Sequence, residues 1–201
     1  MKSSLSLAAL FAAALFSLVA PAYADGAEDQ KAVLITGATS GIGRYATERL
    51  ANAGYFVYAG ARKDADMEEL NKIDNVMAVR IDVTKQDQID AAVALVEKQG
   101  RGLWGVVNNA GVNVVAPMIV ADISDLEFLF DVNLFGVFRV TKAFAPLVIE
   151  SQGRIVNISS ISGVLSGGGY GIYAGTKHAV EAFTDATARA VRRFRRCSQS
   201  R

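Results

Sequence analysis

Cysteine and histidine are almost missing from this chain. Cys197 stands alone, which excludes an internal disulfide. His178 is equally alone, and no group of His, Cys, Asp and Glu has metal-ligand spacing, so the sequence offers no metal centre. Charge of one sign is also lacking. The net charge is +1, which gives none of the basic excess that nucleic-acid binders carry. No internal repeat or linker interrupts the chain, and 201 residues suit one domain. What is abundant is apolar. Hydrophobic residues make up 51% and charged residues 20%, enough for an ordinary globular core.

The amino terminus is expected to stand apart from the fold. Lys2 precedes an apolar run from Leu5 to Ala20, Pro21 breaks it, and Ala22-Tyr23-Ala24 fits a small-x-small cleavage site. Residues 1–24 therefore read as a signal peptide, with the mature chain starting at Asp25 and exported to the periplasm or secreted. The run is short of the ~20 residues that span a bilayer. An uncleaved membrane anchor is the alternative. No twin-Arg pair precedes the run.

Further along, short apolar strands end in small or polar residues. Lys31–Thr36 leads straight into Gly37, Gly41 and Gly43, and a helix is predicted from about Ile42, with Ile42, Ala46, Leu50 and Ala53 at helical spacing. A strand, a glycine turn and a helix N-terminus together favour a pyrophosphate, because backbone can approach closely and the helix dipole faces the anion. Strands are also predicted at Tyr55–Gly60, Val76–Ile81, Leu103–Val107 and Arg154–Ile158. Ile89, Ala92, Val93 and Val96 form an apolar stripe that covers a sheet. Asn108-Asn109-Ala110-Gly111 closes the fourth strand with residues small enough to leave ligand space. Ser124-Asp125-Leu126-Glu127 reads as a capping box that starts a long helix, perturbed at Pro146. Asn133 lies inside that apolar helix and needs a hydrogen-bonding partner there.

The chemistry concentrates between Gly153 and Lys177. Ser159 and Ser160 stand at a strand end, a Gly-rich turn follows, and Tyr173 opens a helix. Lys177 lies four residues on, on the same helix face. An ammonium beside a tyrosine favours the phenolate. The pair can then exchange a proton with a carbinol or carbonyl oxygen, while Ser160 donates a hydrogen bond to it.

TGATSGIG at Thr36–Gly43, NNAG at Asn108–Gly111 and the Ser160, Tyr173, Lys177 set occur in this order, with Tyr173 thirteen positions after Ser160. In these motifs, from about Lys31 to Ala188, the chain resembles the short-chain dehydrogenase/reductase (SDR) family. The resemblance implies an α/β fold, a doubly wound parallel sheet of the Rossmann type, in strand order 3-2-1-4-5. It implies an oxidoreductase moving hydride between a nicotinamide cofactor and a small-molecule secondary alcohol or ketone. Asn133, Ser160, Tyr173 and Lys177 would be catalytic, with Asn133 supporting a water relay to Lys177. Thr36, Gly37, Ser40, Gly41, Ile42, Gly43, Arg62, Asp82, Val83, Asn109, Ala110 and Gly111 would bind the cofactor, with Tyr173 and Lys177. An acidic residue at the end of the second strand would select NAD. Here Ala61, Arg62 and Lys63 occupy that end, which favours NADP, with NAD as the alternative. AVEAFTDA at 179–186 leans towards the retinol and hydroxybutyrate dehydrogenase-like branches. Homo-oligomers through the long helices are a further implication.

Two features pull against the resemblance. Nicotinamide cofactors are chiefly intracellular, which sits badly with export and keeps a cytoplasmic location open. After Ala188 the family pattern stops, and residues 189–201 form a basic run without an apolar stretch long enough for a strand. Residues 25–188 thus read as a Rossmann domain lacking its C-terminal strands and substrate loop, with weak cofactor binding and low turnover expected. A truncated, non-catalytic nucleotide-binding or interaction protein is the alternative to an enzyme.

Overall fold

A computed structural model of the chain describes residues 30–198, with side chains to Arg189. The expected signal peptide lies outside the described residues, as does the Cys197 side chain. Five parallel strands form one sheet: β1 Ala32–Ile35, β2 Phe56–Ala61, β3 Val76–Arg80, β4 Gly105–Asn108 and β5 Arg154–Asn157. Their order is β3-β2-β1-β4-β5, as expected from the sequence. Helices α1 Gly41–Asn52, α2 Asp64–Leu70 and α3 Gln86–Gln99 join the first four strands. Helices α4 Ile123–Phe130 and α5 Gly136–Glu150 bridge β4 to β5, and α6 Gly171–Ser198 follows β5.

Parallel strands are covered on both faces, so they read as continuous apolar runs. β1 is buried at every position, and β2 at all but Phe56. One core places Leu34, Tyr58 and Val106 against Ile89 and Val96 of α3 and Val140 and Phe144 of α5. The other gathers Ile35, Val57, Ala59 and Leu70 under α1 and α2. Register is continuous, with Val33 opposite both Val57 and Gly105. The crossover from β1 outward in both directions leaves a crevice at the carboxyl ends of β1 and β4, where ligands bind in sheets of this kind.

Several local expectations need correction. Helix α1 buries Gly43, Thr47 and Ala51, whereas Ile42 is exposed. The helix seats its small residues on the sheet and turns Ile42 towards the crevice. The capping box fails, because α4 starts at Ile123 with Asp122 at its N-cap and no side-chain capping bond. Residues 131–135 are wound as a π-helical turn between α4 and α5, so the predicted single helix changes pitch at Asn133. Pro146 does not end α5, which continues to Glu150. Helix α6 begins at Gly171, two residues before Tyr173, and its backbone stays helical through the basic run to Ser198.

Candidate active site

The crevice is a cleft of about 590 Å³ along the carboxyl ends of the strands. One part of it is built by the β1–α1 turn. Gly37 has φ of +64°, and a Cβ there would lie 2.9 Å from Ala110 Cα. A Cβ on Gly43 would overlap the Gly37 carbonyl and the Asn109 amide. Only glycine allows the turn to fold so tightly against the end of β4. The turn is then pinned. Thr36 Oγ1 accepts from the Asn109 and Ala110 amides, each at 3.0 Å. Asn109 Nδ2 donates to the carbonyls of Thr36 and Gly37, each at 3.0 Å. Thr36 and Gly43 therefore shape the turn from behind, while Gly37, Ser40 and Ile42 line the cleft. Gly41 has φ of +53° and lies outside the lining.

The far end is charged. Ala61, Arg62, Lys63, Asp66 and Asp82 line it. Asp82 Oδ1 accepts from the Thr84 amide at 3.0 Å and the Thr84 hydroxyl at 2.8 Å. Burial pushes the Asp82 carboxyl up, but Thr84, with Arg62 and Lys85, outweighs burial and holds it below the usual range. Arg62 Nη1 stands 4.0 Å from Asp82 Oδ2, and its side chain is mostly exposed. It is free to turn onto an anion in the cleft. Val83, Asn109, Ala110 and Gly111 continue the lining towards Tyr173 and Lys177.

At that end Tyr173 and Lys177 both face the cleft, with Ile158 and Ser159 beside them. Lys177 is only 5% exposed. Its Nζ donates to the Ile158 carbonyl at 2.7 Å and lies 5.7 Å from the centre of the Tyr173 ring. Burial lowers the Lys177 pKa from the ordinary lysine range. Ser160 is placed one residue beyond the lining, at the cap of a 3-10 turn, Ile161–Gly163. Its Oγ accepts from the Ser162 amide at 3.1 Å, which leaves the hydroxyl proton available.

Asn133 is buried away from the cleft lining. Its Oδ1 accepts from the Val112 amide and its Nδ2 donates to the Val112 carbonyl, both at 2.8 Å. Nδ2 also donates to Thr176 Oγ1 at 3.2 Å. Asn133 thus ties the segment after β4 to α6, next to Lys177. Sequence reading missed Thr39, Asp66, Thr84, Val112, Asn113 and Phe128, all of which line the cleft. The first three follow motifs at strand ends and were within reach. Phe128 comes from α4, and only the tertiary structure brings it there.

The residues suit a dinucleotide. The glycine turn leaves backbone where side chains would block phosphate, and a helix starts beneath it. Comparison with known proteins agrees. The family model described as short chain dehydrogenase matches residues 31–195, extending past Ala188. Mitochondrial D-beta-hydroxybutyrate dehydrogenase of Bos taurus is 37% identical over 165 residues, covering 77% of this chain and 48% of that protein. Retinol dehydrogenase 16 of Homo sapiens is 39% identical over 171 residues, covering 82% and 53% respectively. The chain thus spans about half the length of the curated relatives it matches. Among solved structures, a gluconate 5-dehydrogenase from Burkholderia cenocepacia in complex with NADP and tartrate superposes with TM-score 0.76 at 30% identity, covering 80% of this chain and 65% of that one. By sequence over most of its length and by fold, the chain belongs to the short-chain dehydrogenase family.

Proposed function

We propose that this protein is an NADP(H)-dependent oxidoreductase that interconverts a secondary alcohol and a ketone. One observation carries the reading. Lys177 is buried at the inner end of the glycine-lined cleft, anchored to Ile158, with the Tyr173 ring beside its ammonium. A bound nicotinamide would supply or accept hydride. The chain's own residues handle the proton. Tyr173 gives its phenolic proton to the nascent alkoxide in reduction and takes it back in oxidation. The Lys177 charge favours the phenolate as it forms. Ser160 donates its free hydroxyl proton to the substrate oxygen. Asn133 holds Val112 and Thr176 around Lys177, and the water relay assigned to it by resemblance would run from this corner.

Arg62 and Lys63 support NADP over NAD, since both line the adenosine end and Ala61 leaves it without an acid at that position. The NADP complex of the Burkholderia cenocepacia relative accords with this choice. Asp66 and Asp82 line the same end and weaken the preference without reversing it, because Asp82 is already partnered.

Substitution of the acid/base group gives the direct test. Tyr173→Phe should lower ketone reduction by at least about a hundredfold, the scale of general acid–base catalysis. NADPH binding, followed by fluorescence titration, should change little. Turnover that survives Tyr173→Phe would refute the mechanism.

A further inference from the structure

The catalytic tyrosine is framed by two segments that carry no charge. None of residues 112–121 and none of residues 158–176 is Asp, Glu, Lys, Arg or His. The first segment leaves the cleft at Val112 and Asn113. The second contains Ser160 and Tyr173. The structure ties them together. The Ala116 amide donates to the Gly169 carbonyl at 3.0 Å. A Cβ on Gly171 would lie 2.7 Å from Met118 Cγ, so Met118 rests against the first turn of α6, two residues before Tyr173.

This frame exposes a concentration of apolar side chains. Val115, Met118, Ile119, Val164, Leu165 and Tyr170 are all exposed, with Ile119 at 93% and Leu165 at 65%. Single exposed apolar residues need no explanation, but several of them on two joined segments beside a reacting group mark a binding surface. A negative charge stands close to the 3-10 turn. A Cβ on Gly163 would lie 3.2 Å from Glu181 Oε1. Among the described residues, the cation lining this end of the cleft is Lys177, which is buried and already bonded to Ile158. Among the described residues, neither segment offers a cation to a substrate carboxylate.

We propose that the substrate is a neutral ketone or alcohol with an extended apolar tail, laid between residues 115–120 and 164–170 with its oxygen at Tyr173, and that carboxylated substrates are rejected. The assignment rests on the hydride-transfer reading above. It excludes small oxoacids, whose recognition needs a cation at the mouth. It also identifies Leu165 and Met118 as specificity-determining positions.

The test uses the full chain with NADPH and a matched pair of ligands, methyl hexyl ketone and the same ketone carrying a terminal carboxylate. Binding is read by ligand-observed NMR titration, with and without cofactor. The neutral ketone should bind at least about tenfold more tightly than its carboxylate analogue. Lengthening the tail from methyl propyl to methyl hexyl ketone should tighten binding about three- to fourfold per methylene, the increment of burying one such group. Leu165→Lys, an exposed substitution, should narrow or invert the preference, and Val164→Lys provides a second variant if the first does not fold. Equal or tighter binding of the carboxylate, no dependence on tail length, or no saturable binding of the neutral ketone would each overturn the assignment. A concentration-dependent dimer that Leu165→Lys abolishes, with ketone binding untouched, would overturn it in favour of a second copy on the patch. NADPH titration separates the two readings. Absence of NADPH binding counts against hydride transfer, whereas intact NADPH binding without the neutral preference counts against the substrate assignment.

Discussion

Single side chains set the two ends of the cleft apart electrostatically. At the outer end Arg62 is the movable charge, exposed and paired with Asp82 only at 4.0 Å. Arg62→Ala should therefore narrow the ratio of NADPH to NADH affinity by about one to two powers of ten, the worth of one charge-assisted contact. Fluorescence titration with both cofactors reads this directly, and a parent chain without preference would contradict the NADP reading. At the inner end Lys177 has a depressed pKa because it is buried. Between that depressed value and the ordinary lysine value of about 10.4, the folded chain binds fewer protons than the unfolded one. Lys177 therefore makes stability rise with pH across this window, and below it the buried charge is a standing cost. Lys177→Met removes the titration. The stability of the parent relative to this variant should climb as pH rises into the alkaline range, measured by denaturant unfolding without cofactor. A pH-independent difference would show that the ammonium is not strained by burial.

The elements place these side chains through one irregularity. The π-helical turn at Asp131–Phe135 inserts extra backbone into what would otherwise be one long helix. π-turns of this kind cluster at functional sites. Here the turn carries Asn133 to both polar groups of Val112 and to Thr176. Asn133→Ala would leave buried backbone groups unsatisfied and should cost about 2–3 kcal/mol in denaturant unfolding. It should also lower turnover, since Val112 lines the cleft and Thr176 precedes Lys177. Unchanged stability would show that water replaces the amide. Its place inside an apolar helix marked Asn133 as a polar residue in need of a partner, but no spacing around it announced a change of helical pitch. The capping box misled for a related reason. Ser-x-x-Glu is a local signal, and the chain geometry entering α4 gave the N-cap to Asp122 instead.

At the scale of the whole molecule the parallel sheet holds its most buried strands at the centre, and β5 lies at its edge. Arg154 and Val156 of β5 are exposed, Val156 at 47%. Exposed apolar edges invite pairing with other chains, and a charge on the edge suppresses it. Val156→Lys should reduce self-association at high protein concentration, measured by light scattering, while leaving NADPH binding unaltered. Association that does not respond would move the contact away from this edge, towards the long helices or the apolar patch around Leu165.

The sequence alone determined the glycine turn and the shared helix face of Tyr173 and Lys177, because each is encoded locally, whereas the strand order was an implication of the family resemblance. Apolar runs with small residues at their ends mark parallel strands, and a spacing of four fixes a shared helix face. The crossover rule then leaves few orders for five such strands. Tertiary structure alone decided what surrounds them. It seated Thr36 behind the glycine turn, bonded to the residues that directly follow β4. It brought Phe128 from α4 to the lining and joined residues 112–121 to the start of α6. Those contacts link segments distant in sequence, and their geometry follows from how helices settle on a twisted sheet, which no local pattern encodes.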